Sequence, residues 1–397
     1  MFAPHLARPT PTRVTAIAAF LASAACVARP HPGALERDMS VAPLDECPVV
    51  DRWAGAMGTG LALTIEAPSR AEALSASEAV LRAIEATEQR LSTWREDSEL
   101  SELNRSASGE RIVLSSELAH ELAAVHRWSR LTQGAFDPAV GALVRAWDLR
   151  GAGRIPTAEE RQAAIVLGGI AAALELDGRS ALRVDPSLLL EEGGFGKGAG
   201  LDAALSALRG TKACSATLDF GGQVAWYAPI GAHAPRGESG GPDAATDRRG
   251  ARGRPFDIAD PRDRSRRIAT LRSARNSAAT SGNSEHARVV GGRTIGHLLD
   301  PRSGEPAANF GSVTVVADLA IDADCLSTGL FVLGPERALA FAAEHAAIDV
   351  VIVEVLPSGR LRLCASAGVA ASIELLVEDI DSSNANASHI PRPPTDR

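Results

Sequence analysis

The chain has 397 residues, of which 45% are hydrophobic, 23% charged and 4% aromatic, enough for one large domain or two ordinary ones with an ample core. A formal net charge of -8 argues against a nucleic-acid binder that works by neutralising phosphates. The five cysteines (Cys26, Cys47, Cys214, Cys325, Cys364) form no CxxC pair or His/Cys cluster of zinc spacing, so a structural zinc is not expected. A disulfide stays open, without an assignment.

In chain order, Arg8 and Arg13 precede an apolar stretch, Val14 to Cys26, that is too short to span a bilayer comfortably. Residues 1–30 read as a secretory signal peptide, the alternative being an Ala-rich leader without structure. Cys26 after Ser23-Ala24-Ala25 resembles a lipoprotein cleavage site with Ser in place of the usual Leu, which makes a lipid anchor at Cys26 the further expectation. The mature protein is then exported, and no later segment is long and apolar enough to span a membrane.

Residues 31–53 read as a Pro-rich linker, and a domain is expected over 54–375. Its first strand is the alternating LALTIE after Met57-Gly58. Leu74, Leu81, Ile84 and Leu91 mark a helix over 70–92, and a second runs from Ser115 to Leu131 with Ser115 or Ser116 as cap. A short helix is expected at Leu201–Leu208 and a strand at Ser215–Leu218. Residues 231–255, rich in Gly, Pro, Asp and Arg, read as a mobile insertion. Further strands are expected at 256–258, 268–271, 289–290 and 313–316, a helix at 338–347, and a hairpin of 350–355 with 361–364 closed by Pro357-Ser358-Gly359. The tail, residues 376–397, reads as disordered. Strands and helices mix without a βαβ rhythm, so the fold class is α+β.

Four segments carry chemistry. In EEGGFGKGAGLD (Glu191 to Asp202) the glycines admit close approach of an anion, the following helix offers N–H groups to a phosphate, and Lys197 adds a charge. No Ser/Thr follows the lysine, so this is not a Walker loop, and an ordinary strand-to-helix turn is the other reading. In TQGAFDPAVGALVRAW (Thr132 to Trp147) Gly134 stops one helix and Asp137 either caps the next, with Pro138 in its first turn, or accepts from a ribose or adenine group. GHLLDPRSGEP (Gly296 to Pro306) sets His297, a proton acceptor near neutral pH, three residues before a rigid Asp-Pro turn. ATSGNSEH (Ala279 to His286) ahead of it reads as a polar turn. In IDADCLSTG (Ile321 to Gly329), Asp324 and Thr328 share one helix face; they either suit Mg²⁺ as oxygen ligands, or Asp324 caps the helix.

Taken in order, these segments, with MGTGLALTI (Met57 to Ile65), LSTWREDSELSELN (Leu91 to Asn104), LDFGGQV (Leu218 to Val224) and SVTVVA (Ser312 to Ala317), resemble the bacterial FAD:protein FMN transferases, the ApbE-like flavin transferases. The resemblance runs from about residue 54 to residue 372. It implies a single flavin transferase domain with mixed sheets and surrounding helices. It also implies Mg²⁺-dependent transfer of FMN from FAD to a Ser or Thr hydroxyl of an acceptor flavoprotein, such as a subunit of a membrane redox complex, through a phosphoester bond with release of AMP. The site implied comprises His297 as base, Asp324, Thr328 and the Gly194 carbonyl as magnesium ligands, and Met57, Trp94, Ala135, Phe136, Asp137, Glu191 and Lys197 as FAD contacts. Localisation on the periplasmic side of the inner membrane follows from the leader. The sequence departs from the family at Glu191-Glu192, where Asp-Leu is common, at Ser284, where an aromatic is common, and at Phe256, where Trp is frequent. An FAD pyrophosphatase and a non-catalytic flavin-binding protein are the alternative functions.

Overall fold

The computed structural model describes residues 47–228, 253–283 and 288–384. The leader with Cys26, most of the insertion (231–252), Ser284 to Ala287 and the tail beyond residue 384 lie outside the described residues. No described helix is long and apolar enough to cross a membrane.

The chain enters the domain earlier than its composition suggests. Val49–Ala56 (β1) pairs antiparallel with Thr59–Glu66 (β2), so the expected linker gives way to strand well before residue 53. The two-residue turn between them, Met57 and Gly58, has φ of 46° and 72°, the left-handed geometry that matches the twist of a tight hairpin. Arg70–Leu91 (α1) is capped by Ser69, which accepts from the Glu72 amide. Its buried face is Ala73, Ala76, Val80, Ile84 and Leu91, and Leu74 stays exposed. This is a small-residue face suited to close helix packing.

Glu99–Arg105 (α2), the short strand Arg111–Val113 (β3) and Ser116–Leu131 (α3) follow, α3 being capped by Ser115. Three short helices, Gly141–Ala146 (α4), Ala158–Ala163 (α5) and Gly169–Ala173 (α6), lead into Leu174–Asp177 (β4) and Ser180–Arg183 (β5). The expected short helix is Gly196–Leu208 (α7), five residues longer at its N-terminus because the glycine run is itself helical. Ser215–Phe220 (β6) and Gln223–Tyr227 (β7) form a hairpin over Gly221-Gly222.

The insertion expected to reach residue 255 gives way to strand at Arg254, which pairs with Ser273: Arg254–Asp260 (β8), Asp263–Ser273 (β9), Ser277–Gly282 (β10), Arg288–Val290 (β11), Arg293–Ile295 (β12) and Gly311–Ala317 (β13) follow. ATSGNSEH is therefore half strand, its first four residues ending β10. Ala320–Leu333 (α8) and Pro335–Glu344 (α9) precede Ile348–Val355 (β14) and Leu361–Ala365 (β15), the expected hairpin. Ile373–Leu375 (β16) and Ile380–Asn384 (β17) complete the described elements. β17 pairs parallel with β15, so the tail is ordered as far as residue 384, anchored by buried Ile380.

Nine strands form the main sheet in the order β1-β2-β6-β7-β10-β13-β14-β15-β17. Leu61, Leu63, Ile65, Leu218 and Phe220 pack on the small-residue face of α1 and on α7. Val313, Val315, Val350 and Ile352 pack under α3, α8 and α9. The opposite face of the same strands, Val316, Val351 and Val353, is covered by the three-stranded sheet β16-β9-β8. β13 is buried on both faces, which explains its continuous apolar run. The α+β class expected from the sequence is the class observed.

Helices α7 and α8 meet at their N-termini with no side chain between them. A Cβ on Gly198 would lie 2.4 Å from the Ala320 carbonyl oxygen and 2.6 Å from the Ile321 Cα. The two helices cap each other across this contact. Asp202 of α7 accepts from the Ala320 and Ile321 amides at 2.8 and 2.9 Å, and Asp324 of α8 accepts from the Gly198 amide at 2.9 Å. Gly198→Ala should destabilise the fold by about 2–4 kcal/mol, because the clash is with backbone that no rotamer can relieve; a thermal melt beside wild type measures it.

Burial pushes the Asp202 carboxyl up to about 6 from an ordinary 3.8, while the two amides it caps pull the other way. The folded chain thus keeps a proton that the unfolded chain releases. This stabilisation is complete below 3.8 and is lost as the pH rises through about 6. Asp202→Asn, which cannot ionise, should flatten the stability profile across that window by on the order of 3 kcal/mol, read by urea denaturation at a series of pH values.

Candidate active site

The contact between α7 and α8 sets one wall of a cleft of about 190 Å³. Its lining includes Ala135, Phe136 and Asp137 from the loop after α3, Glu191, Gly194 and Lys197 from the glycine run, His297, and Asp324 and Thr328 from α8. Nine of the expected site residues, far apart in sequence, thus share one cavity. Met57 and Trp94 do not line it. The Met57 side chain instead reaches the first turn of α7, its Cε 3.0 Å from where a Gly196 Cβ would stand. Trp94 is 69% exposed and stacks under the Arg150 guanidinium, 4.5 Å from the ring centroid.

Asp324 is 4% exposed and lies inside α8 as its fifth residue, so the cap reading for its own helix is corrected: Leu319 stands at the N-cap without a side-chain bond. One carboxylate oxygen holds the Gly198 amide, and the other lies 3.8 Å from the Lys197 ammonium. One turn on, the Thr328 hydroxyl is 3.4 Å from that of Ser281, which is also 2.9 Å from Ser327. Ser327 in turn donates to the Asp324 carbonyl. Phe136 wedges between Gly194 and Gly329, where added Cβ atoms would lie 3.1 and 2.6 Å from it, and so brings the Gly194 backbone beside Thr328. A Gly194 Cβ would sit 3.6 Å from the Thr328 hydroxyl oxygen. Phe136 is 2% exposed and acts as the floor of the cleft.

These donors are all oxygen, the set that suits Mg²⁺ rather than a thiolate- or imidazole-seeking metal. Among the described residues no group of three or more His, Cys, Asp or Glu is placed to hold a metal. Asp324 and Thr328, one turn apart on α8, with the Gly194 backbone beside Thr328, give the cleft an oxygen-rich wall that Lys197 approaches to 3.8 Å.

The glycine run is not the free phosphate cradle its sequence suggests. The Gly196 amide donates to the Glu192 carbonyl and the Gly198 amide to Asp324, so most of the first turn is already satisfied. Lys197 supplies the cationic character of this wall. Asp137 is corrected in the same way. The next helix begins only at Gly141, and the 5%-exposed Asp137 carboxylate is occupied by the Ala139 and Ile170 amides and the Ser129 hydroxyl. It caps α6 and pins the cleft loop to α3. Burial raises its pKa, against the pull of these donors.

Glu191 is held by Arg150 and by the Thr93 hydroxyl, which also faces Glu192. Burial raises the Glu191 pKa, with Arg150 opposing. The unusual Glu192 is half-buried at this same cluster, which explains why a charge is tolerated there. His297 stands on a frame fixed by the 300–305 turn, where the Gly304 amide donates to the Asp300 carbonyl and Arg302 pairs with the Asp300 carboxylate. Behind it Gly296 packs on buried Asn283, which a Cβ would approach to 2.3 Å. Asp322, without a role in the sequence, accepts from Arg127 and from the Trp128 indole and so ties α8 to α3.

Thr93, Arg150, Asp202 and Ser281 were not singled out from the sequence. Thr93, Asp202 and Ser281 belong to segments that carry the resemblance, but only the placement of β10 beside α8 shows that the Ser281 hydroxyl faces Thr328.

An α+β scaffold with an oxygen-lined, glycine-walled cleft beside a lysine and a histidine is a site for handling a phosphate-bearing substrate. The chain belongs to the ApbE family, whose model matches residues 57–352. An FAD:protein FMN transferase of Vibrio cholerae is 28% identical over 292 residues, spanning 70% of this chain and 79% of that protein. One from Escherichia coli is 28% identical over 337 residues, spanning 82% and 88%. The solved flavin transferase ApbE from Vibrio cholerae shares the fold at a TM-score of 0.66 and 27% identity, covering 81% of this chain and 98% of that one. The flavinyl transferase ApbE of Pseudomonas stutzeri, at 24% identity, shares the fold with a TM-score of 0.67, covering 82% and 97%.

Asp324→Asn retains an acceptor for the Gly198 amide and should leave the melting temperature nearly unchanged. Asp324→Ala strands that buried amide and should cost about 1–3 kcal/mol, seen as a lower denaturation midpoint.

Proposed function

We propose that this protein transfers FMN from FAD to a Ser or Thr hydroxyl of an acceptor protein, with AMP as the second product. The observation that carries the reading is the convergence of Asp324, Thr328, Gly194, Lys197 and His297 on one cleft in a chain of this family. The cleft is smaller than the roughly 300–1,000 Å³ of sites that enclose a drug-sized ligand, so it takes the reacting part of the dinucleotide while the remainder lies along its rim.

Asp324, Thr328 and the Gly194 carbonyl would hold Mg²⁺, which when bound neutralises the diphosphate and polarises its phosphorus. Lys197 adds a positive charge against the diphosphate oxygens from the same wall. His297 accepts the proton of the acceptor hydroxyl as its oxygen attacks the phosphorus on the FMN side. The bond from that phosphorus to the bridging oxygen breaks, AMP departs with that oxygen, and a phosphoester joins FMN to the acceptor. The Asp300–Gly304 turn keeps the histidine in place, and the Gly198 amide orients Asp324. Glu191, Arg150 and Trp94 form the rim, where a flat ring can stack on an exposed indole.

The leader supports export and action on the periplasmic side of the inner membrane, with Cys26 as a lipid-anchor site. Acceptors are then flavoproteins of membrane redox complexes that present a Ser or Thr.

Incubation with FAD, Mg²⁺ and an acceptor domain should yield a covalent FMN adduct by mass spectrometry together with AMP. AMP without adduct would mean that water replaces the hydroxyl, and neither product would leave a flavin-binding protein. His297→Ala should lower transfer by at least about 100-fold while FAD binding, followed by flavin fluorescence, persists. Full activity in that variant would remove the base assignment.

A further inference from the structure

Strand β2 ends at Glu66, and the chain then leaves the sheet through Pro68 to enter α1. The strands on either side of β2 begin level with this end, Val49 of β1 and Ser215 of β6 both pairing with Glu66, and the chain leading into each lies just beyond it. On one side the Ala67 amide donates to the Pro48 carbonyl, and on the other the Cys214 amide donates to the Glu66 carbonyl. With β2 no longer between them, the residues just before the two flanking strands close on each other. Cys47, exposed, places its sulfur 3.5 Å from that of Cys214.

We propose that Cys47 and Cys214 form an intramolecular disulfide that staples the edge strand β1 to β6 across the end of β2. The sulfurs are already at van der Waals contact, 3.5 Å apart, against a bonding distance of about 2.05 Å. Cys47 is a surface residue two positions before its strand, outside the sheet ladder. The two thiols do not serve a metal, since no third His, Cys, Asp or Glu joins them in a metal-holding group among the described residues. Cys325 and Cys364 are buried elsewhere. β1 is an edge strand with a single neighbour in the sheet, so a covalent tie there has a purpose. The bridge closes a loop between residues 167 apart, the long-loop case in which a cross-link restricts the unfolded chain most.

The oxidant is a small-molecule or protein disulfide. The exposed Cys47 thiolate attacks one of its sulfurs, forming a mixed disulfide and releasing one thiol. The Cys214 thiolate then attacks the Cys47 sulfur and releases the second thiol, so two electrons and two protons pass to the oxidant. Burial, with Cys47, Glu66 and Glu72 nearby, raises the Cys214 thiol to about 11. Formation in the cell rests on export to an oxidising compartment; the chemistry itself does not depend on the transferase reading.

The full chain, treated with glutathione disulfide, blocked with iodoacetamide and digested without reduction, should yield one cross-linked peptide pair containing Cys47 and Cys214. The oxidised protein should melt about 5–15 °C above the reduced one, a gap abolished by dithiothreitol and absent in Cys47→Ser. Alkylation of both cysteines after oxidation would overturn the proposal. So would a glutathione adduct at Cys47 that never resolves, or a Cys47-linked dimer. The mapping uses wild-type protein, so it decides the matter whether or not the variant folds.

Discussion

The site depends on one backbone contact. Gly198 lets the first turn of α7 touch the first turn of α8, and across that contact each helix supplies the carboxylate that caps the other. A helix N-terminus buried without a partner leaves amides unsatisfied, at a cost of about 1–3 kcal/mol each. Here Asp202 and Asp324 meet that need reciprocally. Neither helix can shift along the other without breaking hydrogen bonds at both N-termini, which ties the cleft wall together.

The same arrangement shapes the chemistry. Asp324 uses one oxygen for structure and turns the other toward Lys197 and the cleft. A carboxylate fixed in this way is already oriented for a cation and loses little entropy on binding one. The surrounding oxygens come from Thr328, Ser281 and the Gly194 backbone. Phe136, packed between Gly194 and Gly329, holds the glycine run against α8 and leaves no room for a side chain at either glycine.

Much of the fold was legible in the sequence because its signals are local. The apolar spacing of residues 70–92 and the Ser115 cap announce their helices, the alternation in LALTIE announces a strand, and Pro357-Ser358-Gly359 closes a hairpin as read. The errors lie where a partner distant in sequence decides. β1 reads as linker until β2 pairs with it, and residues 380–384 read as tail until β15 does. Asp137 and Asp324 both look like caps of the helices they adjoin or enter, and both are caps. Each serves a different helix, α6 and α7 respectively, because spacing along the chain carries no information about which foreign amide will be in reach.

The sequence by itself determined the α+β class, the family and the set of oxygen, lysine and histidine groups from which the site is built. Those follow from residue type, periodicity and motif order, all of which are properties of a chain read end to end. Only the tertiary structure decided that nine of those residues share one cleft while Met57 and Trp94 stand off its wall. It also decided that the glycine run is helix rather than loose loop, and that Arg150, Thr93 and Ser281 belong to the site. The physical reason is that hydrogen-bond partners and backbone contacts between α7 and α8, more than a hundred residues apart, are set by packing, and packing exists only once the sheet has brought them together.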